Sequence, residues 1–339
     1  MSATLLAGIL VAAQPPAPAA PLPAPPAPVP LTTPTQVQPI IGGALSEDGA
    51  WTSVVGIVHW SSLHPNSSLA TVDLCTGVML DKRTILTAAH CLIEIDDVEN
   101  MRVVFGNQLD AEDERFVATV DEVFVHPDYC TDDDCGADAY DFGLVTIVEN
   151  VGGIEFFEPL VDQTEWDDSM MPGDQVTVVG FGAVREVQEE DPPLEEGEIG
   201  LKREVSIQVQ RLSPTGHEFI AGNEGMDVCG GDSGGPAFVQ LADGSWRIAG
   251  IVSRGVIPCG VGEGYYGTVY AALPWIRESV GLDYFPDGCD GVEGDTCLDP
   301  RPPSSGTGCR VEPVEPRAPA ALGLALLGLL VAGRRRRNG

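Results

Sequence analysis

Residues 227–237 read DVCGGDSGGPA, with four glycines falling between Gly230 and Gly235 around one hydroxyl, that of Ser233. An ordinary turn needs one or two glycines. This density lets the backbone take positive φ and come close to another molecule. Such a loop suits amide N–H groups that converge on a developing negative charge. On either side of it lie short runs rich in Val, Ile and Thr, such as WTSVVGIVHW, RTILTAAHC, FVATVDEVFV, QVTVVGFGAV, EVSIQVQRL and WRIAGIVSRG. Gly, Pro, Asn and Asp punctuate them, which predicts an all-β barrel or sandwich. ALPWIRESVG, near residues 272–281, is the one stretch with a helical pattern.

The formal net charge of −33 excludes nucleic acid as a partner, because nothing neutralises phosphate. It describes a solvated, self-repelling surface that keeps a secreted protein soluble. Nine cysteines sit at uneven spacings without a CxxC pair, which points to extracellular disulfides with one thiol left over, and away from zinc. The acids of GNQLDAEDER do not form a matching calcium pattern, and no metal or cofactor is called for.

The chain is long enough for several segments. TLLAGILVAA within residues 1–13 has the length of a signal peptide, and its end, Val11-Ala12-Ala13, resembles a small-residue cleavage site. Residues 14–39 are largely Pro and Ala and read as a propeptide or linker in extended polyproline form. The β pattern runs from 40 to 282. Residues 283–317 have almost no apolar periodicity and read as a Cys-containing stalk. Residues 318–339 hold an apolar run ending in four arginines. Its apolar part, from Ala320 to Gly333, would extend about 21 Å as a helix, short of the roughly 30 Å hydrocarbon core.

Three segments carry chemistry. TAAHC offers His90 at the end of a β run, AYDFGLV places Asp141 at the start of an apolar strand, and GDSGGP offers Ser233. Serine needs an adjacent base to become a nucleophile, and histidine is the side chain best poised to take and return a proton near neutrality. A buried carboxylate fixes the imidazole tautomer and stabilises the imidazolium. Asp138 competes with Asp141 for that role, and the apolar strand that follows favours Asp141. The order His, Asp, Ser excludes the nucleophile-elbow hydrolases, whose serine comes first.

LTAAHC, DFGLV and GDSGGP together strongly resemble the trypsin/chymotrypsin serine proteases, over about residues 40–282. The resemblance implies two six-stranded antiparallel β-barrels with a short C-terminal helix and a site in the cleft between them. It implies His90 as general base, Asp141 as its orienting carboxylate and Ser233 as nucleophile, with an oxyanion hole from the amides of Gly231 and Ser233. Asp227 matches the base of the specificity pocket, Gly255 and Gly264 its walls, and Ser253 the strand that pairs with bound peptide. The expected activity is secreted endopeptidase cleavage after Arg or Lys through an acyl-enzyme, on protein or peptide substrates, by a monomer. The alternative is a protease-fold protein held inactive as a zymogen or acting as a binding module. Arg254 replaces the family's usual aromatic.

The same resemblance pairs Cys75 with Cys91 and Cys229 with Cys259; proximity alone suggests Cys130 with Cys135 and Cys289 with Cys297, leaving Cys309. IIGG at residues 40–43 is similar to the family's mature N-terminus, whose ammonium pairs with the aspartate before the nucleophile, here Asp232. Pro39 stands where trypsin-activated relatives carry Arg or Lys. The tail, with Gly308 and Cys309 upstream, resembles a myxobacterial-type C-terminal sorting signal, with a plain membrane anchor as the alternative; either implies a cell-surface location with membrane contact through the tail.

Overall fold

The computed structural model describes residues 40–302, apart from 60–72, 94, 96, 110–115, 131–137, 187–190, 196, 287 and 290–297. The expected signal, Pro-rich and tail segments, and with them Cys135, Cys297 and Cys309, lie outside the described residues.

Six antiparallel strands close the first barrel: β2 (Val54–His59), β3 (Asp73–Met79), β4 (Thr84–Thr87), β5 (Met101–Phe105), β6 (Phe116–Val125) and β7 (Gly143–Ile147), in the order β2-β3-β4-β7-β6-β5. The second uses β9 (Gln175–Gly180), β10 (Arg203–Leu212), β11 (Glu218–Ala221), β12 (Pro236–Gln240), β13 (Trp246–Gly255) and β14 (Gly264–Thr268). It closes because β9 pairs with both β10 and β12. Two short strands extend it, β1 (Ala44–Leu45) on β10 and β8 (Glu158–Pro159) parallel to β13. Closure removes the exposed edges that open sheets must guard. The all-β, two-barrel expectation is borne out.

β-Branched residues fill both barrels. Val55, Ile57, Val103, Val145 and Ile147 form the interior of the first, and Val176, Val178, Ile207 and Val209 that of the second. A further cluster with Leu86, Phe142, Phe181 and Phe238 lies between them, and Trp51 stacks on Phe238. The barrels are therefore joined by buried apolar surface.

The C-terminal helix α2 (Val269–Val280) begins three residues before the stretch that the sequence marked, so the end of YYGTVYA is helical and not extended. It buries Val269, Ala272, Leu273 and Ile276, the i, i+3, i+4, i+7 stripe of an amphipathic helix. Gly281, at φ 77°, ends it. A second helix, α1 (Gln163–Ser169), was not anticipated. Asp162 caps it by accepting from the amides of Thr164 and Glu165, and the D-x-x-E spacing was its signal. β11 also escaped the sequence reading, because EFIA is short and opens on an acid.

Part of the expected stalk packs on the barrels. Tyr284 Oη donates to the Leu80 carbonyl at 3.0 Å, and Leu298 is buried in the second core.

Candidate active site

β4 ends at Thr87 and the chain turns through a 3₁₀ turn at Ala89–Cys91, which presents His90 at the barrel rim. A disulfide from Cys91 to Cys75 on β3 ties that turn to the barrel wall. Asp141 lies just before β7. Its Oδ2 is 2.8 Å from His90 Nδ1, and its Oδ1 accepts the His90 amide at 2.9 Å. A third bond comes from the second barrel, where Ser253 Oγ donates to Oδ2 at 2.7 Å. The carboxylate is buried while the imidazole is about one-third exposed. Asp138 is turned elsewhere and accepts from Ser213 and Thr215. The geometry thus gives His90 to Asp141 and not to its neighbour.

Ser233 sits on the glycine-rich loop between β11 and β12, in the same cleft as His90, Leu74 and Cys75. The first barrel holds this loop. Thr76 on β3 donates its amide to the Ser233 carbonyl at 2.8 Å and its hydroxyl to the Gly231 carbonyl at 2.8 Å. Gly234 shows why this loop demands glycine. Its φ is 80°, and a Cβ there would lie 2.0 Å from Thr87 Oγ1 and 2.4 Å from the Thr76 carbonyl oxygen. Gly231, at φ 96°, also needs the freedom of glycine. Among the described residues, the amides of Gly231 and Ser233 donate to no protein acceptor. Thr76 was not singled out from the sequence, since a strand threonine carries no motif.

Below the loop, Asp227 is fully buried. Its carboxylate accepts the Val228 amide at 2.8 Å and the Gly262 amide at 3.1 Å. Burial pushes its pKa up, and these backbone donors oppose the shift. Gly264 and Gly255 are the expected walls, and Gly264 lies close to this carboxylate. A Cβ on Gly264 would lie 2.9 Å from Tyr266 Oη and 3.2 Å from Asp227 Oδ1, so glycine keeps the approach to the carboxylate open. Tyr266 Oη is buried and has no hydrogen-bond partner among the described residues. Gly255 pairs with Gly264 across β13 and β14. Cys259 is bridged to Cys229, bracing the segment that supplies the Gly262 amide. Cys130 and Cys289 are disulfide-bonded too, with the expected partners outside the described residues.

Ile40 is buried in the core of the second barrel, and Ile41 forms a β-bridge with Asp227. Asp232 is wholly buried and accepts the amides of Gly182 at 2.8 Å and Cys229 at 3.0 Å. Burial pushes its carboxyl up to about 6, against those two donors and the nearby Arg203 guanidinium.

The trypsin family model matches residues 40–276, the span that contains both barrels and His90, Asp141, Asp227, Asp232 and Ser233. The chain belongs to the trypsin family. Among curated relatives it is 26% identical to the CLIP domain-containing serine protease B8 of Anopheles gambiae, over 72% of this chain and 67% of that protein. It is 26% identical to the atrial natriuretic peptide-converting enzyme of Mus musculus, over 73% of this chain and 21% of that protein. It is 27% identical to coagulation factor XI of Bos taurus, over 70% of this chain and 37% of that protein. This trypsin-family chain thus spans only part of the length of those relatives. The trypsin family is one of serine proteases.

Proposed function

We propose that the protein is a secreted endopeptidase that cleaves after Arg or Lys by way of an acyl-enzyme. The observation that carries this reading is the bonded line from Ser253 through Asp141 to His90, ending in the cleft that holds Ser233. In this reading His90 Nε2 takes the Ser233 proton as Oγ attacks the scissile carbonyl, then returns it to the leaving amine. Asp141 stays ionised and steadies the imidazolium. The amides of Gly231 and Ser233 receive the oxyanion, and water then repeats the sequence to release the acyl group. Asp227 pairs with the substrate's basic side chain, since a buried carboxylate with no cation bonded to it among the described residues favours one brought by a ligand.

Two features support a maturation step before Ile40. Ile40 is buried beside the pocket strand, and among the described residues the buried Asp232 carboxylate is hydrogen-bonded by backbone amides. A freed Ile40 ammonium supplies its partner charge. Pro39 makes the activating cut one that trypsin-like enzymes do not make. The disulfides fit an extracellular site, and the tail is read as a surface-sorting segment removed near Cys309.

The decisive test is labelling with an organophosphonate followed by peptide mapping. Ser233 is expected to carry the label, and Ser233→Ala to lose both the label and several orders of magnitude of turnover while remaining folded. A label on another serine refutes the assignment.

A further inference from the structure

β13 carries a cation beside the triad that the proposed chemistry does not use. The strand bulges at Ser253, because Val252 is opposite Tyr266 and Arg254 is opposite Tyr265, leaving Ser253 with no partner. The bulge lets Ser253 face Asp141 while Arg254 turns out toward solvent. Gly255, the next residue, is paired with Gly264 beside Asp227. Residues 253–255 therefore bridge the triad and the basic-residue pocket. A peptide with its carbonyl at Ser233 and its basic side chain on Asp227 passes this bridge with the residues upstream of the cut.

Arg254 is held rigidly there. Its Nη1 and Nη2 donate to Glu218 Oε1 and Oε2 at 2.7 and 2.8 Å, and its guanidinium lies 4.5 Å from the centre of the Tyr265 ring. Glu218 is only 4% exposed and also accepts the Ala139 amide at 3.1 Å, so it is fixed from a second side. Arg254 itself remains 45% exposed. The pair consumes one edge of the guanidinium. Nη1 also reaches Ser253 Oγ at 3.4 Å, and among the described residues Nε makes no hydrogen bond, leaving that donor open.

An apolar substrate side chain laid on this surface would strip water from that N–H group and return nothing. A lysine or arginine would meet a like charge, with Glu218 already engaged. A carboxylate or carboxamide oxygen matches the open donor. We propose that Arg254, clamped by Glu218, selects a hydrogen-bond-accepting side chain (Asp, Glu, Asn or Gln) on a substrate residue upstream of the cleaved bond.

This inference rests on the endopeptidase reading, and its test separates the two. Quenched peptides with Arg at the cleaved position are varied among Asp, Asn, Leu, Phe and Lys at each of the three upstream positions. At one position Asp and Asn are expected to exceed Leu and Phe in kcat/KM by about five- to tenfold, as suits one partly exposed charge-assisted bond. The Asp–Asn difference reads the charge contribution, which shrinks with added salt. Arg254→Leu is expected to erase the preference. Because that change strands the buried Glu218 charge, the double variant Arg254→Leu/Glu218→Leu is measured beside it. A flat upstream profile in an enzyme that cleaves after Arg and labels at Ser233, or a preference that survives the double variant, overturns the inference alone. A protein that neither cleaves nor labels overturns the endopeptidase reading and this inference with it.

Discussion

The proposed pairing of Asp232 with a freed Ile40 ammonium predicts that stability depends on whether the chain has been cut before Ile40. The Asp232 carboxyl is wholly buried and pushed from an ordinary value of 3.8 up to about 6. An acid whose folded pKa is raised binds its proton more tightly in the folded state. In the uncut chain, stability is therefore undiminished below pH ~4, falls between about 4 and 6, and levels off above. The shift of roughly two units corresponds to about 3 kcal/mol. Arg203 and Asp227 face the same carboxyl, and their opposing influences are already contained in that shift. Cutting before Ile40 adds an ammonium that favours the charged form, so the loss disappears or reverses. The assay is urea unfolding from pH 4 to 7 in a Ser233→Ala background that prevents self-digestion. It compares the chain carrying residues before Ile40 with one beginning at Ile40, each with and without Asp232→Asn. Subtracting the Asp232→Asn curve cancels every other titrating group. A fall of about 3 kcal/mol in the uncut form alone is expected. Equal pH slopes in the two forms would refute the ammonium pairing.

Two further expectations concern the pocket and the termini. Asp227→Ser should lower kcat/KM after Arg and Lys by roughly thirtyfold or more relative to cleavage after Leu or Phe, the loss typical of truncating one member of a buried charge pair. Because burial raises the Asp227 pKa, the basic preference of the parent enzyme should also fade on acidification at a higher pH than for an ordinary carboxylate. An unchanged ratio of basic to apolar cleavage places Asp227 outside the pocket. Mass spectrometry of protein from the native cell surface should show a mature start at Ile40 and an end near Cys309. An active enzyme that retains Pro39 contradicts the first, and a chain intact through Arg337 contradicts the second.

The sequence by itself determined the fold class and marked the candidate reacting groups, because both are local in origin. Alternating Val, Ile and Thr runs form strands wherever they fall, and HC, DFG and GDSGGP are contiguous motifs whose residue types suit one chemistry. The same locality explains what was missed. α1 and β11 are too short to show a period, and α1 was marked only by the cap at Asp162. The apolar strand after it favoured Asp141 over Asp138, but only the closed barrels show which carboxylate reaches His90, and it is Asp141. Tertiary structure also decided what Arg254 became. In the sequence it was a charge in place of an aromatic. In the fold, a bulge at Ser253, a ring from β14 and a buried acid 36 residues away on β11 hold it rigidly beside the triad. Barrel closure brings such distant side chains within bonding range, which no reading along the chain can supply.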